Sequence, residues 1–226
     1  MSQALTTIKA GQPATQAAFG HGFDSESGFR EAFAKTFGSA PTDARDADCI
    51  RVQWIDSPLG PLILGASDDG IVLLEFTEPS RLATQLERLR RAFRVAVVPG
   101  EHRHLTQLKH ELAAYFDGKL RRFDVPLRFP GTEFQSSVWQ ALLQIPYGDT
   151  CSYEDLATRV GRPGACRAVG TANGMNRIAI VIPCHRVVNK DGKLGGYGGG
   201  LWRKQRLLDL ERGQKPIADF GLRIAD

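Results

Sequence analysis

The chain has 226 residues, 42% of them hydrophobic and 24% charged, a composition that excludes a disordered or fibrous class and suits two small globular domains. No stretch approaches the ~20 apolar residues of a membrane span, and the opening MSQALTTIKAGQPATQ has no apolar core before a cleavage site, so a cytoplasmic protein without a membrane partner is expected. Four cysteines without a Cys-x-x-Cys pair argue against structural disulfides and a zinc knuckle, and the net charge of +4 resides between Thr132 and Gly213, where eleven Lys and Arg meet seven acids. Such an excess fits a polyanion partner or a solvated face equally well.

Residues 1 to 17 carry no periodic pattern and are expected to be disordered. Phe29, Phe33 and Phe37 then recur at i, i+4 and i+8, with Asp24 or Ser25 as N-cap, Gly38 as stop and Pro41 beyond, which predicts one amphipathic helix. A polar junction at 46–49 follows. From Arg51 the runs RVQWIDS, PLGPLILGAS and GIVLLEF, separated by Ser57-Pro58, Gly60-Pro61 and Asp68-Asp69-Gly70, predict three strands in a meander. Helical period takes over with Leu82, Leu86, Leu89 and Phe93, and again with Leu105, Leu108, Leu112 and Tyr115, ending at Asp117-Gly118.

Thr132 and Gln135 have the spacing of a capping box and open a helix with Phe134, Val138, Ala141 and Leu142 on one face, stopped by Ile145-Pro146-Tyr147-Gly148. Ser152 and Asp155 form a second box for a short helix ending at Gly161, and Pro163 starts a third that ends near Gly174. Helix, turn and helix make a DNA-binding motif. At 100° per residue Ala165, Val169 and Ala172 point inward, while Gly164, Arg167, Ala168 and Thr171 form a nearly bare outer face suited to close approach to a duplex.

The run Ile178 to Val188, IAIVIPCHRVV, ends in a proline and presents Cys184, His185 and Arg186 in succession. A thiol is a good nucleophile only as thiolate, so a working cysteine needs a base or positive charge nearby, and these neighbours offer both. The bland alternative is a buried cysteine at a strand end. Downstream, Asn189-Lys190-Asp191-Gly192-Lys193 is turn chemistry, and GGYGGG at 195–200 lacks the strand that a phosphate-binding glycine loop requires. In the last helix, from Trp202 to Arg212, Glu211 falls inside the apolar stripe of Leu207 and Leu208, and a buried acid needs a partner.

Pro-Cys-His-Arg-Val with Asn176 upstream and the Tyr197 loop and Glu211 downstream resembles the O6-alkylguanine-DNA alkyltransferase family, over about Val52 to Gly213. The run from Ala18 to Arg45 resembles the last helix-turn-helix of AraC-type regulators, about half of their usual module, which narrows the resemblance to the bifunctional Ada type. The implied fold is α/β plus α: a partial AraC-like segment after a disordered start (1–48), a ribonuclease-H-like α/β domain (49–129), a winged-helix domain with a helix-turn-helix (130–213) and a tail (214–226). The resemblance implies Cys184 as alkyl acceptor, His185 as its base through a water, Glu211 orienting His185, and Asn176 holding the turn. It implies Arg167 as the intercalating arginine with Ala168 and Thr171 on the DNA face, and Tyr153 assisting rotation of the target nucleotide. Tyr197 becomes the pocket aromatic; Gly198 stands where many relatives carry a polar residue, leaving one contact to the base open. The partner implied is double-stranded DNA carrying O6-alkylguanine, and O4-methylthymine, bound by a monomer that needs no metal and no cofactor. Three rivals remain on residues alone: a cysteine hydrolase, a damage sensor without transfer, and a transcriptional regulator that reads DNA through Ser25, Ser27, Arg30 and Glu31.

Overall fold

In the computed structural model, which describes residues 2–10, 12–37, 40–42, 49–77, 93 and 95–213, the expected meander forms. β1 (Cys49–Ile55), β2 (Leu62–Ser67) and β3 (Gly70–Phe76) pair antiparallel in chain order. Ser57 shapes the first turn, its hydroxyl accepting from Leu59 N–H at 3.2 Å while Gly60 N–H donates to Ser57 O at 2.9 Å. Every residue of β2 and β3 is buried, which explains why their sequences read as continuous apolar runs rather than as an alternation. A fourth strand, β4 (Ala96–Pro99), lies parallel to β1 and gives the order β3-β2-β1-β4. Sequence periodicity missed it, because four residues paired through a distant crossover leave no local signature. The helix expected over Leu82 to Phe93 lies outside the described residues except for Phe93. α4 (Arg103–Phe116) buries Leu105, Leu108, Leu112 and Tyr115 completely against the sheet and ends at Asp117, with Gly118 at φ +72°.

The outer edge of β3 would be an open row of backbone donors and acceptors. It is closed instead by the chain itself. Ile71 exchanges 2.8 Å bonds with Pro126 O and Arg128 N, and Leu74 does so with Arg177 O and Ala179 N. The second of these pairs anchors the segment that leads into Pro183-Cys184, so the sheet supports the thiol through backbone bonds.

Both expected capping boxes are present. Thr132 and Gln135 cap α5 (Glu133–Leu143), and Ser152 and Asp155 cap α6 (Tyr153–Arg159). α7 (Cys166–Gly174) begins three residues later than the Pro163 start, because Gly164 sits at φ +84° in a turn; Gly164 therefore drops out of the outer stripe. The rest of the face stands as the wheel places it, with Val169 and Ala172 buried and Arg167, Ala168 and Thr171 exposed. Trp139 of α5 locks the pair, donating its indole N–H to Ala172 O at 2.9 Å. The small sheet joins β5 (Cys151–Ser152) and β6 (Val187–Val188) in parallel, and the turn expected at 189–193 is present, closed by Asn189 N–H to Lys193 O at 2.9 Å. α8 (Leu201–Glu211) returns to the centre. One continuous core, from Leu62 and Leu74 through Leu112 and Trp139 to Ile182 and Leu207, runs through both halves.

The expectation of disorder over residues 1 to 17 is corrected. Ser2–Lys9 forms α1 and Ala14–Gly20 forms α2, followed by α3 (Glu26–Phe37) with Ser25 as cap, its hydroxyl accepting from Gly28 N–H at 3.1 Å. Ala4, Ile8, Ala17 and Ala18 join Phe29 and Phe33 in a cluster that also contains Cys49 and Val98 of the sheet. Small residues gave this packing no strong periodic signal, yet they let the three short helices approach closely.

Candidate active site around Cys184

Ile178 to Pro183 is not a strand but a knot of tight turns. Ile182 N–H donates to Ile178 O at 2.9 Å, Val181 N–H to Ala179 O at 2.8 Å and Cys184 N–H to Ile182 O at 2.7 Å. Ile180 adopts φ +70°, a left-handed conformation that costs a β-branched residue roughly 1–3 kcal/mol and persists only where the surroundings dictate it. Asn176 is the side chain that holds this turn. Its Oδ1 accepts from Ile178 N–H at 3.0 Å, and its Nδ2 donates to Ile182 O at 2.8 Å and approaches Cys184 Sγ at 3.1 Å. Asn173 donates to Cys184 O at 3.4 Å. The thiol thus rides on a single 3-10 turn, Cys184–Arg186, in a fixed place.

Cys184 is 5% exposed, and burial pushes its thiol up to about 11, with Asn176 acting in the opposite direction, Glu75 adding to the rise and Lys204 opposing it. The cations expected from the sequence are placed otherwise. Arg186 turns away from the sulfur and forks onto Glu211, Nε to Oε2 and Nη2 to Oε1 both at 2.8 Å, with Nη1 on Ile145 O at 2.6 Å. The cation that acts on the thiol is Lys204, fully buried on α8, its Nζ donating to Val187 O at 2.5 Å and to Gly195 O at 3.2 Å. Burial brings Lys204 down to about 8, against the pull of Cys184.

Glu211 makes five contacts with four residues. Besides the two Arg186 bonds, Oε1 accepts from Tyr115 Oη at 2.7 Å and meets His185 Nε2 at 2.9 Å, and Oε2 accepts from Gly148 N–H at 3.2 Å. Gly148 sits at φ +85°, the left-handed turn that aims this N–H at the carboxylate. Burial alone would raise the carboxyl, but His185 and Arg186 outweigh it and hold Glu211 well below the usual carboxylate range. His185 is wholly buried and its pKa is lowered, by burial first, then by Arg186 and Lys204 against the pull of Glu211. Its Nδ1 has no hydrogen-bond partner among the described residues. A carboxylate only accepts, so Nε2 carries the ring hydrogen and Nδ1 offers a lone pair; such a pair can receive a proton from a neighbouring thiol.

On the outer side, Tyr153, Glu154, Cys166, Arg167, Gly170, Asn189, Lys190, Gly195 and Gly196 line a cavity of about 370 Å³. Tyr153 leans on the glycine loop, donating to Gly196 O at 3.4 Å, and a side chain at Gly195 would come within 2.7 Å of its ring, so the loop needs glycine there. Burial and then Cys184 raise the Tyr153 phenol, which remains an O–H donor at neutral pH. Tyr197 and Gly198 are half-buried and do not line this cavity. The Tyr197 hydroxyl is buried without a partner among the described residues, and burial, followed by Cys184 and Glu75, raises it well above the ordinary phenol. Cys184, His185, Glu211 and Asn176 are therefore brought together, with Arg167, Ala168 and Thr171 on a separate exposed helix face. Sequence reading missed Lys204, Tyr115, the true role of Arg186, and Asn173. For Lys204 a signal existed: Lys204, Leu207, Leu208 and Glu211 stand at i, i+3, i+4 and i+7, so the arithmetic that singled out Glu211 applies to it as well.

A helix-turn-helix unit carrying a buried thiol next in sequence to a histidine, beside a small α/β sheet, defines a class, a DNA-binding protein with a cysteine acceptor. The profile described as 6-O-methylguanine DNA methyltransferase, ribonuclease-like domain, matches residues 50–129, and the DNA binding domain of the same name matches residues 133–213. The methylated-DNA--protein-cysteine methyltransferase of Mycobacterium tuberculosis strain H37Rv is 49% identical over 177 residues, covering 76% of this chain and 98% of that protein. The protein of that name from Methanosarcina barkeri is 45% identical over 161 residues, 70% of this chain and 94% of its own. The crystal structure of Mycobacterium tuberculosis OGT in complex with DNA has 44% identity and a TM-score of 0.62, covering 74% of this chain and 95% of that one. The chain belongs to the 6-O-methylguanine DNA methyltransferase family.

Proposed function

We propose that this protein repairs DNA by taking an alkyl group from O6-alkylguanine, and from O4-methylthymine, onto Cys184, as a monomer in the cytoplasm without metal or cofactor. The observation that carries the reading is the chain of contacts Glu211–His185 and Asn176–Cys184 on the turn that ends the family's Pro-Cys-His-Arg motif. The lesion lies inside a stacked duplex and must be rotated out to be reached. Arg167 fills the space it leaves, the small residues Ala168 and Thr171 permit close approach, and Tyr153, Tyr197 and Gly198 border the flipped base. His185 Nδ1 takes the thiol proton through a water; the Cys184 sulfur attacks the alkyl carbon. The new S–C bond forms as the C–O6 bond breaks and its electron pair passes to the base; Tyr153 gives its phenolic proton to the leaving guanine, and the proton held by His185 passes through water to the Tyr153 phenolate, so that the thiol proton ends on the base. Attack on an sp³ carbon needs no oxyanion hole.

The organising units of this reading are residues 49–129 and the winged-helix unit 130–213, with a tail at 214–226. Within residues 1–48, the run from Ala18 to Arg45 is read as half of an AraC-type module of the Ada type, supported by the turn through Gly22 that joins α2 to α3 and by the exposure of Ser25, Ser27, Arg30 and Glu31. The thioether product is inert, and among the described residues no second thiol contacts Cys184 to remove the alkyl group. Mixed with excess duplex carrying a labelled methyl group, the protein should give a burst equal to its own molar amount and stop, with the label in the Cys184 peptide. Continued turnover, label on Cys49, Cys151 or Cys166, or residual transfer by Cys184→Ala would overturn the assignment.

A further inference from the structure

A bare carboxylate buried against an imidazole draws a second proton onto the ring, and a histidine so charged cannot act as a base. Glu211 is not bare. Its Oε1, the atom that His185 meets, also accepts from Arg186 Nη2 at 2.8 Å and Tyr115 Oη at 2.7 Å, and Oε2 accepts from Arg186 Nε and Gly148 N–H. The groups facing His185 and its partner are Glu211 and Lys204 from α8, Cys184 and Arg186 on its own turn, Tyr115 from α4, and Tyr147, whose ring lies 5.8 Å from the Arg186 guanidinium. Two cations against one carboxylate leave no excess of negative charge to hold an imidazolium.

We propose that Arg186 and Tyr115 are positioning residues that keep His185 a neutral base, by saturating the Glu211 carboxylate that fixes its ring. The inference rests on His185 as the acceptor of the Cys184 proton. Tyr115 belongs to the sheet-bearing unit, 96 positions from Glu211 in the chain, so that unit contributes to proton transfer and is more than a support. Each donor on Oε1 withdraws charge from the one atom His185 touches; removing a donor makes the ring more basic and protonates it at a higher pH. The acid limb of the transfer reaction then moves upward.

The test is the single-turnover rate on methylated duplex between about pH 5 and 9, the range across which a histidine changes charge. It is run for wild type, Tyr115→Phe, Arg186→Gln, Arg186→Lys and His185→Gln, each with a melting curve. The acid limb should shift upward by about half a pH unit in Tyr115→Phe and by about one unit or more in Arg186→Gln, as expected for lost hydrogen bonds and lost charge. Arg186→Lys should recover part of the shift, and the high-pH plateau of Tyr115→Phe should stay within about threefold of wild type. A structural role alone would lower the plateau and the melting temperature without moving the limb. Should Arg186→Gln fail to fold, Tyr115→Phe decides. A Tyr115→Phe limb coincident with wild type would overturn the inference alone, whereas an unchanged acid limb in folded His185→Gln would overturn it together with the assignment of the base.

Discussion

The amide nitrogen of Asn176 lies 3.1 Å from Cys184 Sγ and 2.8 Å from Ile182 O, so one side chain both fixes the turn and touches the nucleophile. This contact favours the thiolate, against a burial that pushes the thiol up to about 11.

Asn176→Ala removes that contact and leaves Ile178 N–H and Ile182 O without their side-chain partner. A hydrogen bond to a charged group is worth about 1.5–3 kcal/mol, which converts to a rate loss of roughly ten- to a hundredfold. Single-turnover transfer should fall within that range, and the pH at which Cys184 reacts with a haloacetamide should rise. An unchanged thiol profile in a folded variant would separate Asn176 from the sulfur and leave it a turn-holding role alone.

Lys204 gives a prediction with a defined sign. Its folded pKa of about 8 lies below the ordinary 10.5, so between those values the unfolded chain binds more protons and the Lys204 contribution to stability rises with pH. Cys184 acts the other way: its folded value of about 11 exceeds the ordinary 9.0, so above 9.0 the folded state retains the extra proton and stability falls. Lys204→Met removes the first slope. The stability advantage of wild type over this variant should therefore grow from pH 8 towards 10, measured by denaturant melts, and Lys204→Met should shift the alkylation profile of Cys184 upward. A stability difference that is flat with pH would mean that Lys204 is not buried in its charged form.

Much of this site is legible in the sequence alone. The two capping boxes, the outward Arg167, Ala168 and Thr171, and the misplaced acid at Glu211 all follow from spacing along one helix, where geometry is local. What stayed hidden depends on chain brought from afar. Tyr115 reaches Glu211 across the core, β4 pairs with β1 through a crossover, and Arg186, two residues from the thiol in sequence, is turned onto Glu211 because a 3-10 turn swings successive side chains to different sides. Adjacency in sequence suggested a cation for the sulfur; the fold supplied a different one, Lys204, from twenty residues downstream.

Arg167 is exposed at the rim of the outer cavity and makes its case through substrates rather than stability. Arg167→Ala should slow transfer from methylated duplex by about tenfold or more, since the vacated stack is left unfilled. Inactivation by free O6-benzylguanine should change less than about twofold, and the melting temperature should stay near wild type, as for most exposed substitutions. Equal losses on both substrates would place Arg167 in the transfer step itself and remove its role in flipping.

The last prediction concerns residues 1 to 48. No site residue lies there, and the family profiles begin at residue 50, so a protein starting at residue 49 should keep its stoichiometric burst and a rate within about twofold of the full chain. It should nonetheless melt several degrees lower, because Ala4, Ile8, Phe29 and Phe33 share a cluster with Cys49 and Val98, which the truncation leaves uncovered on the sheet. Replacing Cys49 and Val98 by polar residues in the truncated protein should recover solubility without altering the burst. Repeating the assay on duplex and on free O6-benzylguanine discriminates the remaining role. A loss confined to duplex would show that α3, through Ser25, Ser27, Arg30 and Glu31, adds grip on DNA; equal rates on both would leave the three helices a cover for the sheet and nothing more.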